Sequence, residues 1–126
     1  MSLAVFEYAL IRAIPRVERG EFVNVGVVLY SQAHDFLGCA ADLAPDRLLA
    51  LDPQTDLDAV AAALDGICAV CEGRPGAGAS AAGSPRARFG WLTAPRSTVV
   101  QAGPVHSGLT ADPAAELARL AARLVR

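Results

Sequence analysis

The sequence predicts an α+β domain, with an antiparallel sheet of about four strands that opens as an N-terminal three-stranded meander and two main helices packed on one face. Three observations predict it. The first third of the chain alternates at the period of two that strands require. The middle and the C-terminus repeat apolar residues at three- and four-residue steps behind capping residues. The elements follow in the order strand, strand, strand, helix, strand, helix, without internal repeats. At 126 residues the chain suffices for one domain, 1–126.

The first strand runs from Val5 to Ile14, with Phe6, Tyr8, Leu10, Arg12 and Ile14 on one face and Glu7, Ala9, Ile11 and Ala13 on the other. Pro15 ends it, and Arg16 to Glu21 form a charged loop whose Gly20 suits a turn. From Phe22 to Tyr30 the second strand places Val23, Val25, Val27 and Leu29 on a wholly apolar face, predicted to be core. Ser31 to Asp35 connect it to a third strand, Phe36 to Ala41. A helical turn at Asp46–Leu51 precedes a helix that starts near Asp52–Asp56, buries Leu57, Val60, Leu64, Ile67, Cys68 and Cys71, and ends at Gly73. The small residues of 74–85 bury too little surface to offset backbone ordering, so a mobile Ala/Gly/Pro-rich loop is predicted there. Structure resumes at Arg86–Leu92, a strand follows at Thr98–Gln101, and Pro104–Thr110 reads as irregular. Asp112 and Pro113 open the last helix, whose buried stripe is Leu117, Leu120, Ala121 and Leu124.

Composition narrows the chemistry. All eleven basic residues are arginine, which excludes a Schiff-base lysine, a lysine nucleophile and a P-loop lysine. A net charge of −2 supplies no field to collect nucleic acid, and no basic stripe interleaved with aromatics substitutes for one. No apolar run reaches the roughly 20 residues that a membrane span needs. The apolar stretch at Val5–Ile14 lacks a basic leader, and three cysteines make no secreted disulfide framework, so a cytoplasmic location is expected. Cys68-Ala69-Val70-Cys71 has redox spacing, but at a helix C-terminus the dipole raises a thiol pKa rather than lowering it. Zinc would have to draw on Cys39, His34 or His106, which lack paired spacing, so the cysteines are read as structural and no metal or cofactor is expected.

Polar residues at strand positions mark the candidate site. Arg19 and Glu21 precede a strand in which Asn24 and Gly26 share a face that a ligand or another backbone could approach. Arg96 and Ser97 combine a bidentate cation with a hydroxyl at the mouth of a strand, as oxyanion binding requires. His106 lies in a more ordered segment than His34, which is expected to face water.

Tyr8-Ala9-Leu10-Ile11-Arg12 and Arg19-Gly20-Glu21-Phe22-Val23-Asn24-Val25-Gly26-Val27-Val28-Leu29 resemble the opening of a bacterial family, domain of unknown function 3037. Phe89-Gly90-Trp91-Leu92-Thr93-Ala94-Pro95-Arg96-Ser97-Thr98 and Pro104-Val105-His106-Ser107-Gly108-Leu109 resemble its later signature segments. The resemblance implies a partner, a kinase-like protein similar to the toxin kinases of persistence systems. The resulting expectation is a cytoplasmic accessory or interaction domain that binds a partner protein or a small anionic ligand, with self-association also open. The alternative is a small enzyme acting on a phosphate ester or nucleotide, with Arg19 and Arg96 holding the anion and Glu21 or His106 as general base. A concave pocket holding His106 beside Glu21 or Ser97 would favour the enzyme, and a flat surface the partner.

Overall fold

The structure, a computed structural model, describes residues 2–126. Strands β1 (Ala4–Ala13), β2 (Val23–Ser31), β3 (Phe36–Ala41) and β4 (Val100–Thr110) form one antiparallel sheet in the order β3-β2-β1-β4. Helices α1 (Pro45–Leu51) and α2 (Leu57–Glu72) follow β3, α3 (Pro85–Thr93) precedes β4, and α4 (Pro113–Leu124) ends the fold. The α+β class, the antiparallel sheet and its opening meander are as the sequence predicts. Capping explains why the helices sit where they do. Asp56, Ser84 and Asp112 each accept a hydrogen bond from the backbone N–H three residues on, and Pro85 and Pro113 occupy the first turn. Gly73 ends α2 in the left-handed region, at φ 64°.

One irregularity in β2 decides how the layers stack. Its pairing with β1 jumps from Ile11↔Gly26 to Arg12↔Asn24, leaving Val25 as an extra residue, a β-bulge. The Val25 carbonyl accepts from the Asp42 N–H at 2.8 Å. A bulge reverses the side-chain alternation beyond it. Val23, Val25, Val28 and Tyr30 therefore join one core with α2 and α3, while Val27 and Leu29 join a second core with α4. The predicted single apolar face of Val23, Val25, Val27 and Leu29 is thus divided between both sides of the sheet. With both faces of β2 apolar, both need cover. The last helix accordingly packs on the face opposite α2, where the sequence had placed both helices on one.

Two other segments differ from the reading of the sequence. Pro104–Thr110 is not irregular but continues β4, because the pairing jump from Ile11↔Ala102 to Ala9↔Val105 absorbs Gly103 and Pro104 as a bulge. Proline is tolerated on a strand at the sheet edge. His34 does not face water: it lies half-buried, and its Nε2 donates to the Thr110 carbonyl at 2.9 Å, tying the β2–β3 turn to the end of β4. Segment 74–85 carries a turn of 3-10 helix at Ala79–Ala82, anchored by buried Ala81.

Candidate functional site

The residues nominated from sequence fall on the β1–β2 connection, on β2, on the α3–β4 connection and on β4, and all but Ser97 have a local partner. Arg19 donates to Glu21 at 2.6 Å on the exposed β1–β2 connection, and this contact raises the Arg19 pKa. Asn24 faces α4 and donates through Nδ2 to the Leu124 carbonyl at 3.1 Å, closing the end of that helix. The bulge puts Gly26 on the other face, where a Cβ would meet the Ala40 carbonyl at 3.1 Å and Leu64 at 3.6 Å. Arg96 lies over the Trp91 ring, 4.2 Å from its centroid, and donates to the Trp91 carbonyl at 2.6 Å, which caps the end of α3. Ser97 is exposed on the same connection. His106 stands further along β4, opposite Tyr8 in register, with the rings 5.3 Å apart. Glu21 and Ser97 lie beyond the Ala13 end of β1, whereas His106 stands opposite Tyr8 in register, so these residues do not assemble the arrangement that would mark the enzyme reading.

The sheet itself divides into a covered and an uncovered half. Helix α4 packs over β2 and β3, leaving Tyr8, Leu10 and Arg12 of β1 half-exposed on that face. At the end of the sheet order, β4 has no neighbouring strand on its outer side, and Pro104, Val105, His106, Ser107 and Leu109 are exposed along it. Val105 and Leu109 lie opposite Ala9 and Val5 in register, so Val5, 57% exposed, and Leu109, 60% exposed, form one apolar surface.

Two charges missed by the sequence reading belong to this half, both on β1. Glu7 lies between Tyr30 and Ser107 in register, a polar row spanning β2, β1 and β4. It lines a cleft of about 570 Å³ with Val5, Tyr30, Gln32 and Ala33, and another of about 280 Å³ with Arg86, Phe89, Thr93 and Val105. On the opposite face, the Arg12 guanidinium lies 4.2 Å from the Phe22 ring centroid. The signal for both was available: each is the lone charge on a strand face of otherwise apolar residues.

The cysteines form a separate thiol cluster between β3 and α2. Cys39 Sγ lies 2.9 Å from Cys68 Sγ, and Cys71 is buried. The hydrogen bond with Cys68 by itself lowers the Cys39 pKa, but the interaction with Cys71 and burial outweigh it, and the thiol is pushed up to about 12. The bond to Cys39, and then burial, raise Cys68 as well. Thiols held protonated in this way are poor nucleophiles and poor metal ligands. Among the described residues, no group of three or more His, Cys, Asp or Glu side chains is arranged to hold a metal ion. Likewise, no helix among them is long and apolar enough to cross a membrane.

Comparison with known proteins agrees with the segments quoted from the sequence. No curated protein and no solved structure matches this chain. A family model described as "Protein of unknown function (DUF3037)" matches residues 8–125, from Tyr8 in the middle of β1 to the end of α4. The chain therefore belongs to the DUF3037 family.

Proposed function

We propose that this protein is a cytoplasmic interaction domain that receives an extended segment of a partner protein along the outer edge of β4. The observation that carries this reading is the edge itself. Strand β4 is 11 residues long, lies at the end of the sheet and has exposed Val105 and Leu109 beside exposed Val5. Such an edge presents unpaired N–H and C=O groups, and proteins that do not use one blunt it with charge, proline or bulges. On β4 the bulge at Gly103 and Pro104 interrupts the row, which is open from Val105 to Thr110. Here no charged residue lies between Val100 and Thr110. Strand addition supplies main-chain hydrogen bonds for affinity and side-chain contacts for specificity. A kinase-like protein, implied by the family resemblance, is the first partner to test.

The test is capture from native lysate with a photo-crosslinker placed at Ser107. Wild type should crosslink one protein in stoichiometric amount, and a folded Val105→Lys, Leu109→Lys double variant should lose it. Equal capture by both proteins would contradict the reading. So would light scattering that finds a stable pair of identical chains whose contact is β4.

A further inference from the structure

We infer that Arg12 selects the partner: its guanidinium takes the carboxylate of an acidic side chain on the segment paired with β4. The inference rests on the edge pairing proposed above and names the chemistry of what pairs there. Arg12 belongs to β1, and its guanidinium lies over Gly103 of the neighbouring β4. A Cβ on Gly103 would stand 2.9 Å from Arg12 Cζ and 3.0 Å from Nε, so glycine at this position keeps the guanidinium in place. The Phe22 ring supports it at 4.2 Å, which fixes the orientation of the fork before any ligand arrives.

The charge is uncompensated within the chain. Among the described residues no carboxylate pairs with Arg12, and its Nε is buried without a hydrogen-bond partner. Glu21, one residue before Phe22, is held by Arg19 at 2.6 Å. Asn24, opposite Arg12 in register, also has a buried Oδ1 without a partner. A strand added at the usual spacing of about 4.8 Å would set a side chain beside Gly103 within reach of the guanidinium. A carboxylate there gains a charge-assisted, bidentate hydrogen bond. A second copy paired edge to edge through β4 does not supply it, because β4 has no acidic residue from Val100 to Thr110. The occupant is therefore a different chain with an acidic residue in an extended segment.

Two synthetic extended peptides of Thr, Ser and Val test this, one with a central Glu and the other with Gln in its place. Binding is followed through the backbone amide resonances of β4 and the Nε resonance of Arg12. Both peptides should shift the β4 amides, and the Glu peptide should bind about fivefold more tightly. That preference should vanish in Arg12→Gln, and equally in Gly103→Ala, which keeps the charge but displaces the guanidinium. Dispersed spectra establish that each variant is folded. Equal binding of the two peptides to wild type would overturn the inference while leaving the edge reading intact. A preference that survives in both variants would also overturn it. If neither peptide shifts β4, both the inference and the edge reading fall.

Discussion

Strands β2 and β4 belong to one sheet and are of similar length, 9 and 11 residues, but they live in opposite surroundings. From Val25 to Ser31, β2 is buried without interruption, with α2 on one side and α4 on the other. From Pro104 to Ser107, β4 is exposed, and its outer edge meets no other strand. On the proposed reading, recognition falls to the open outer edge of β4, away from the strand that is buried on both faces. Core packing involves β1 as well, through Phe6, Ala9, Ile11 and Ala13, so the contrast is between β2, buried on both faces, and the outer part of β4, whose apolar groups from Val105 to Leu109 have no cover.

Substitutions sharpen this contrast, and the largest effect belongs to the covered half. Leu29 is fully buried against α4, so Leu29→Ala should destabilise by about 3 kcal/mol, measured by urea unfolding. A loss below about 1 kcal/mol would show the second core to be loosely packed. The thiol cluster comes next. Folded Cys39 keeps its proton up to about pH 12, whereas the unfolded thiol ionises near 9.0. Its contribution is fully present below pH 9 and is lost as pH rises toward 12, on the order of 1 kcal/mol by pH 10. The melting temperature of wild type should therefore fall over that range faster than that of Cys39→Ala. Parallel curves would remove the cluster from the stability of this half.

Smaller effects follow at the helix ends and on the open edge. Asn24→Ala removes the hydrogen bond to the Leu124 carbonyl and should cost about 1 kcal/mol, read from the same unfolding curves. Leu109→Lys, on the exposed edge, should change stability by less than about 0.5 kcal/mol while abolishing capture of the partner. A large loss of stability there would mean that the β1–β4 half is as structural as the other.

The helices were legible because their ends are written locally. Asp56 and Gly73 bracket α2, and Asp112 with Pro113 starts α4, so the first described turn of each could be placed from neighbouring residues alone. The bulge at Val25 was not legible, because a one-residue slip shows only where one face is polar. Here Val23, Val25, Val27, Val28, Leu29 and Tyr30 are buried in either alternation. The side taken by α4 depends on that bulge, and so it was lost as well. In β4, Gly103 and Pro104 carry the composition of a break, and only the pairing of Ala9 with Val105 and of Ile11 with Ala102 on either side turns them into a bulge. The site was legible in its sequence segments more than in its residues. Asn24 and Arg96 are drawn into helix ends, whereas Arg12, one strand position within the quoted opening segment, was passed over because its strand face is otherwise core.

The proposed recognition by the β4 edge is tested most directly by amide hydrogen exchange, comparing the free protein with its crosslinked or purified complex. The account predicts that β2 is strongly protected in both states, and that Val105 to Thr110 exchange readily alone and become protected when the partner is bound. New protection confined to β3 or to the helices, with β4 unchanged, would contradict it.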